Sequence, residues 1–327
     1  MKRRSFGVLL GLALLAALVV GQTVAAKEYT LRWAHSYQPE HPFHVAAEMV
    51  AKDVAEKTGG NVKINVYPAG QLGSEKDIVE GLAMGTLDMV IAGPGELGKW
   101  HKPILVMEAA YVFRDVDHMY KVVRGEVGQE LWGGLLEETG MRVLDTWYYG
   151  TRHVTSNKPV YTPNDMKGMK LRAPDMPMSI ANTKAMGASP TPMALSEVYL
   201  ALQQGAVDGQ ENPIATIAAN RFYEVQSYLN MTGHVVQATP VAINEMAFQN
   251  LPGEYQDVLV SSIAKHTDIV RGMIADYEAE WLDKFQEFGM KIVESDIDAF
   301  MAATKVIPQE FGSQWGEGLY ERIQQVQ

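Results

Sequence analysis

The first part of the chain alternates between strand-like and helix-like patterns, and this order limits the folds open to it. Residues 29–35 and 62–66 alternate apolar with polar side chains, and residues 87–92 form a nearly continuous apolar run. Residues 44–57 and 75–84 lie between these segments and carry apolar side chains at helical spacing. A strand–helix–strand–helix–strand order favours parallel strands joined by crossover helices. The sequence therefore predicts an α/β protein with a mostly parallel sheet flanked by helices.

Chain length and a glycine between two strand patterns indicate two domains. The chain has 327 residues, which is about twice the length of a typical domain. Strand-like segments lie on both sides of Gly150, and we expect the chain to cross between domains there. The predicted domains, with a ligand cleft between them, are residues 27–149 plus 238–277 and residues 150–237 plus 278–327.

The longest periodic segment lies near the end of the chain. From about residue 254 to residue 288, apolar side chains recur at three- and four-residue steps. A single helix of this length would extend about 50 Å, which exceeds one small domain. The sequence predicts a helix that spans both domains, and two helices with a hidden break are the alternative.

The first 26 residues have the features of a secretory signal peptide. Lys2, Arg3 and Arg4 precede an apolar run over residues 6–20, and small residues follow at 24–26. We expect export to the periplasm and cleavage after Ala26. An uncleaved membrane anchor is the alternative, but the apolar run is short for a span of about 20 residues.

Composition removes several classes of function. The chain has no cysteine, which excludes disulfides, thiol nucleophiles and thiolate metal sites. A formal charge of −11 argues against a nucleic acid partner, although one local cationic pocket would still suit a small anion.

Neither a G-x-S-x-G elbow nor an H-E-x-x-H pair occurs, and the histidines show no metal-ligand spacing. Gly93–Gly98 fits G-x-G-x-x-G, but Pro94 removes an amide that pyrophosphate would need. We expect no metal and no other cofactor.

Several short segments in the second half resemble a known family when they are taken in order. They are Gly150-Thr151-Arg152, Lys170–Asp175, Gly187–Met193, Ser196–Gln203, Ala206–Pro213 and Phe222–Val225. This set resembles the solute-binding proteins of tripartite ATP-independent periplasmic (TRAP) transporters of the DctP type, and the resemblance extends back to Pro68. It implies a two-domain periplasmic binding protein with a long bridging helix. It also implies a small and a large integral membrane subunit as partners.

The resemblance assigns roles to four polar residues. Arg172 would bind the carboxylate of the solute, and a planar guanidinium suits that group well. Arg152 would be a second cation near the solute, Asn212 would donate to the solute or hold Arg172, and Glu75 would accept from solute hydroxyls. Each residue also has a structural alternative. These are a salt bridge for Arg172, a structural ion pair near Gly150 for Arg152, turn chemistry before proline for Asn212, and a favourable first-turn helix position for Glu75.

Further candidates come from the ends of strands and from aromatic residues. His35 ends the first strand, where open α/β sheets place ligands, although a core histidine is the alternative. Trp147 and Tyr149 would line the pocket or fill the core beneath Gly150. Gly93 lies where the sialic-acid-binding members of the family have glutamate, and Leu195 where they have phenylalanine. These two departures argue against sialic acid as the solute.

We therefore rank the candidate solutes by the groups that would bind them. A hydroxylated monocarboxylate of the hexuronate or aldonate kind comes first, because Glu75, His35 and the tyrosines offer hydroxyl partners. A four-carbon dicarboxylate held by Arg152 and Arg172 is second, and an aromatic acid stacked on Trp147 is third. Two other classes stay open, namely an exported enzyme acting on an organic acid and a sensory binding protein.

Overall fold

The computed structural model describes residues 27–327, so the predicted signal peptide and its cleavage after Ala26 lie outside the described residues. The strands are β1 (Tyr29–Ala34), β2 (Val62–Tyr67), β3 (Met89–Ile91), β4 (Met141–Ser156), β5 (Lys170–Ala173), β6 (Ser189–Pro192), β7 (Gly209–Pro213), β8 (Tyr228–Asn244) and β9 (Lys291–Val293). The helices are α1 (Pro42–Lys57), α2 (Glu75–Ala83), α3 (Pro94–Leu97), α4 (Val116–Arg124), α5 (Glu126–Thr139), α6 (Pro177–Ala185), α7 (Val198–Gln203), α8 (Ile214–Ala219), α9 (Glu245–Gln249), α10 (Gly253–Glu287), α11 (Ile297–Thr304), α12 (Val306–Trp315) and α13 (Leu319–Gln325).

The nine strands of the described chain form one continuous mixed sheet in the order β2-β1-β3-β8-β4-β7-β5-β6, with β9 beside β8. β1 pairs in parallel with β2 and β3 at one end, and β5 pairs in parallel with β6 and β7 at the other. The two parallel ends are joined through antiparallel pairs made by β8 and β4. The predicted α/β class with parallel strands in each domain is confirmed.

The centre of the sheet is a pair of long strands, where the sequence predicts shorter ones. β4 has 16 residues and continues through Gly150, which lies opposite Gln237 of the 17-residue β8. The register shifts next to this pair, and Gly150 has a φ of 127°. A bulge lets a strand bend without ending, and only glycine adopts this φ readily. The segments predicted as two strands are therefore one bent strand.

The long helix packs on both halves of the molecule. Leu259, Ile263 and Val270 of α10 belong to the core around β1, β3 and α1. Phe285, near the other end of the helix, belongs to the core around α7, α8 and the start of β8. A single helix of 35 residues bridges both cores, as predicted. Among residues 27–327, no helix combines the length and apolar character needed to cross a membrane.

The last two helices return to the first half of the molecule. Trp315 of α12 and Ile323 of α13 are buried in the core of the first half. The Gln324 side chain donates to the Val112 carbonyl at 2.7 Å. The bounds 27–149 plus 238–277 and 150–237 plus 278–327 stay a prediction, and this packing favours placing residues 306–327 with the first domain.

Candidate functional site

A cavity of about 440 Å³ lies between the two halves of the molecule. The first half, with the core around β1, β3 and α1, contributes Tyr37, Glu75, Glu96, Glu108 and Tyr149, and the second half contributes Arg152, Arg172, Met193 and Asn212. Gln237 of β8 lines the cavity beside the Gly150 bulge. The volume is in the range of small-molecule sites, and its walls combine charged groups with aromatic rings.

Arg172 is a buried cation that faces this cavity. It lies on β5 with only 3% of its surface exposed, and its Nε and Nη2 donate to the Met193 carbonyl at 3.1 and 2.8 Å. Burial, reinforced by the nearby Arg152 charge, lowers the pKa of Arg172 to about 10 even though Glu211 acts to raise it. Within residues 27–327 Arg172 makes no ion pair, so the alternative of a salt bridge to Asp175 is not observed. A buried guanidinium with one carbonyl acceptor still has donors for an anion.

Arg152 lines the same cavity but is already paired. Its Nε and Nη2 donate to the two carboxylate oxygens of Glu211 at 2.5 and 2.8 Å, and its Nη1 donates to Gln237 Oε1 at 2.6 Å. His234 Nε2 lies 3.1 Å from Glu211 Oε2. Burial acts to lower the pKa of Arg152, but the Glu211 carboxylate outweighs it and raises the pKa above its usual range. The structural ion pair near Gly150 is therefore present, and Glu211 compensates the Arg152 charge.

The sequence predicts a strand over residues 206–209 and places Asn212 in a loop just after it. In the structure, Asn212 lies within a strand. The strand predicted over residues 206–209 begins at Gly209 and continues as β7 to Pro213. The Asn212 Oδ1 accepts from Arg152 Nη2 at 3.2 Å and its Nδ2 donates to Gln210 Oε1 at 2.6 Å. Because these bonds fix the amide beside Arg152, Asn212 lines the cavity as a positioned polar group.

Glu75 reaches the cavity from the first turn of α2. Ser74 caps this helix in a reciprocal arrangement with Asp77, which fixes where the helix begins. The Glu75 Oε1 accepts from the Gly93 amide at 2.5 Å. Burial raises the pKa of Glu75 to about 7, with Glu96 and Glu108 adding to the shift. Glu75 therefore starts the helix and lines the cavity, and its role as an acceptor for solute hydroxyls stays a prediction.

Gly93 lies behind the carboxylates and does not itself line the cavity. A Cβ atom at this position would meet Gln237 Nε2 at 3.2 Å, Glu75 Oε1 at 3.4 Å and Glu108 Oε1 at 3.5 Å. The backbone amide of Gly93 therefore orients Glu75, and any larger residue would enter the carboxylate cluster.

Two residues that sequence reasoning missed complete this wall. Glu108 ends a short 3-10 segment, is 3% exposed and accepts from Gln237 Nε2 at 2.9 Å. Burial raises the pKa of Glu108 to about 7 against the opposing Arg152 charge. Glu96 also lines the cavity, and Lys99 Nζ lies 2.7 Å from its Oε1. A glutamate in an apolar run, as in Val106-Met107-Glu108-Ala109, was the available signal for a functional carboxylate.

Two predicted site residues lie in the core. His35 is fully buried, with Nδ1 accepting from the Tyr37 amide at 3.2 Å and Nε2 lying 3.3 Å from His44 Nδ1. Both nitrogens are used, and the residue does not reach the cavity. Trp147 packs between Trp33 and Phe43 with ring centroids 5.9 and 5.5 Å away. Both residues are therefore core residues, since their side chains pack against α1 through His44 and Phe43.

Tyr149 is the aromatic residue of this segment that does line the cavity. Its hydroxyl bonds to Thr216 Oγ1 at 2.5 Å, and its ring lies 5.2 Å from Tyr37. Burial raises the pKa of Tyr149 to about 12 against the nearby Arg152 charge, so the hydroxyl stays neutral. Within residues 27–327, no group of three His, Asp or Glu side chains could hold a metal ion.

Comparison with known proteins identifies the family of the chain. The profile described as "Bacterial extracellular solute-binding protein, family 7" matches residues 33–314. The chain is 37% identical to the sialic acid-binding periplasmic protein SiaP of Vibrio cholerae over 278 residues, covering 85% of this chain and 87% of that protein.

Solved structures give the same result. A TRAP periplasmic solute binding protein from Roseobacter denitrificans with bound L-galactonate has a TM-score of 0.86 and 32% identity, covering 92% of this chain and 99% of that one. One from Sulfurospirillum deleyianum with bound succinate has a TM-score of 0.86 and 31% identity, covering 92% and 100%. These relatives are substrate-binding transport proteins and not enzymes. The chain belongs to the bacterial extracellular solute-binding protein family 7 and is an organic-acid-binding protein of the TRAP type.

Proposed function

We propose that this protein captures a hydroxylated monocarboxylate of the hexuronate or aldonate kind in the periplasm and delivers it to a TRAP permease. The observation that carries the proposal is Arg172, a buried guanidinium that lines the cavity and forms no ion pair within residues 27–327. A solute carboxylate there would form a charge-assisted, two-pronged hydrogen bond shielded from water.

The rest of the cavity suits a solute with hydroxyl groups. Glu75 and Glu108 offer acceptors, while Asn212 and Tyr149 offer polar groups whose positions are fixed by neighbours. The relatives that bind L-galactonate and sialic acid bind hydroxylated acids, in line with this choice. Because Gly93 and Leu195 replace the residues expected in sialic-acid-binding members, a six-carbon sugar acid is the better candidate.

The other two solutes have less support. A four-carbon dicarboxylate stays the second candidate because one structural neighbour holds succinate. The pairing of Arg152 with Glu211 removes the second cation on which that solute would depend. An aromatic acid is third, because Trp147 is in the core and Tyr149 is the remaining aromatic partner of that segment.

Delivery requires the cleft to open and close. We propose that the two domains move about β4 and β8 near Gly150 and Gln237, where the bulge interrupts the register. The solute would favour the closed state by contacting both halves at once. The protein would act as a monomer with a small and a large membrane subunit, and with no nucleic acid. Genes for two membrane subunits beside its own gene would support a transporter over a sensory binding protein.

A thermal-shift screen of organic acids tests the proposal. Purified protein without residues 1–26 is heated with aldonates, hexuronates, four-carbon dicarboxylates, aromatic acids and the matching neutral sugars. Specific binding to the native state raises the melting temperature by mass action, so we expect the largest rise with a sugar acid and none with its neutral sugar. A screen in which no carboxylate raises the melting temperature would overturn the proposal.

A further inference from the structure

We infer that Glu75 and Glu108 act together as a selectivity element, which favours a solute with hydrogen-bond donors away from its carboxylate and rejects one with a second carboxylate. The inference rests on the proposed function, because it concerns the end of the solute that does not meet Arg172. Glu108 is the new member, because it is not among the residues to which the family resemblance assigns a role.

The two carboxylates converge on one point in the structure. Glu75 Oε1 and Glu108 Oε1 lie 3.4 and 3.5 Å from the position that a Cβ atom on Gly93 would take. They come from different elements, the first turn of α2 and the end of the 3-10 segment at residues 102–108. Glycine at position 93 leaves room for this convergence, and the Gly93 amide holds Glu75 in place.

The charges around the cavity leave this pair without a basic partner. Glu96 pairs with Lys99 and Glu211 pairs with Arg152, whereas neither Glu75 nor Glu108 forms an ion pair within residues 27–327. Gln237, a neutral amide, is the side chain that donates to Glu108. Lys76 also lines the cavity, but its ammonium group lies 3.9 Å from Glu80 Oε1 and forms no ion pair with Glu75 or Glu108.

The cavity therefore has opposite polarity on its two sides. The second half presents Arg172, and the first half presents two carboxyl groups that form no ion pair within the described chain. Hydroxyl or ammonium groups of a solute can donate to these carboxylates, which satisfies both partners. A second solute carboxylate would bring a like charge next to Glu75 and Glu108 in a poorly solvated site. This repulsion would lower the affinity for a dicarboxylate.

A comparison of L-galactonate with succinate tests the inference. Both acids are titrated by calorimetry at pH 8 into the wild-type protein, Glu108→Gln and Glu75→Gln. Glu56→Gln is the matched control, because it removes the same charge from an exposed residue of α1 that does not line the cavity. We expect the wild-type protein to bind L-galactonate at least tenfold more tightly than succinate. Each cavity variant should reduce that ratio at least tenfold, and the control should leave it unchanged.

The outcomes separate this inference from the proposed function. If the wild-type protein binds neither acid nor any other carboxylate in the thermal-shift screen, the proposed function fails. If acids bind but the galactonate-to-succinate ratio is the same in the wild type and in both cavity variants, only the inference fails. Should Glu108→Gln not fold, as judged by its thermal melt, the ratio measured with Glu75→Gln decides.

Discussion

Arg152 and Arg172 are both buried guanidinium groups, but their surroundings give them different roles. Arg152 has Glu211, Gln237 and Asn212 as hydrogen-bond partners, so its charge and its donors are used within the protein. Arg172 donates to one backbone carbonyl and makes no ion pair in the described chain. Removing Arg152 should therefore act on stability, and removing Arg172 should act on binding.

We expect Arg152→Ala to reduce the free energy of unfolding by about 3–5 kcal/mol, because Glu211 would stay buried without its cation. Urea denaturation of the solute-free protein measures this loss. Arg271→Ala is the control, since Arg271 pairs with Asp117 at the surface and should cost about 1 kcal/mol or less. Equal losses in the two variants would contradict the role given to the Arg152–Glu211 pair.

At the scale of residues, sequence could identify some of the site but not its charge balance. Arg172, Arg152, Asn212 and Glu75 were found because they lie in short segments that resemble a family. Ion pairing depends on which strands become neighbours. The sequence alone therefore does not show that Arg152 pairs with Glu211, which lies 59 residues further along the chain. The same limit applies to His35 and Trp147, whose direction is set by the way the strands and helices pack.

At the scale of elements, the bent strand β4 and the long helix α10 meet at the centre of the molecule. A Cβ atom on Gly150 would lie 2.5 Å from the Glu278 Oε1 of α10. Glu278 Oε1 is buried and has no hydrogen-bond partner in the part of the chain that the structure describes. Burial raises the pKa of Glu278 to about 8 against the opposing effect of the Thr151 backbone, so α10 presents a protonated carboxyl to the bulge at neutral pH.

This carboxyl should make the stability of the solute-free protein fall as the pH rises. A group whose pKa is about 8 when folded and about 4.5 when unfolded stabilises the protein fully below 4.5, and that contribution is lost through pH 8. Glu75 and Glu108 act in the same direction. Burial lowers the pKa values of His35, His41 and His153, so these three histidines affect the pH dependence mainly below about pH 6.5.

We expect the melting temperature to fall between pH 6.5 and pH 9, and Glu278→Gln to make that fall smaller. Differential scanning calorimetry of the solute-free protein at several pH values provides the measurement. Glu280→Gln, on the exposed side of the same helix, is the control. If Glu278→Gln has the same pH slope as the wild type, Glu278 does not titrate in this range.

The positions of helices and strands were easier to predict from the sequence than whether two neighbouring strand segments form one continuous strand. Periodicity located β1, α1, β2 and α2 within one or two residues and placed α10 as one bridging helix. The bulge at Gly150 was interpreted as a break, because a glycine that bends a strand and a glycine that ends it have the same local sequence signal. The sequence pattern also predicts β7 too early in the chain. The polar residues of β7 are buried, and they do not alternate with apolar residues as a strand pattern requires.

At the scale of the whole molecule, one cavity joins the two halves and places a cation opposite acceptors. Its walls draw on residues from Ser36 to Gln237, so only the complete fold assembles it. The chain crosses between the halves at β4 and β8, and α10 packs on both cores. Under the proposed function, a solute would hold both halves together in this architecture, and its contact with Arg172 would recognise an acid.

Calorimetric titration of the best acid from the screen into the wild-type protein and Arg172→Ala tests this most directly. Arg32→Ala serves as the control, because Arg32 is exposed and pairs with Asp88. The account predicts that Arg172→Ala weakens binding by at least about 2 kcal/mol, roughly 30-fold, because the buried solute carboxylate loses its charged partner. A dissociation constant for Arg172→Ala equal to that of the wild type would contradict the account.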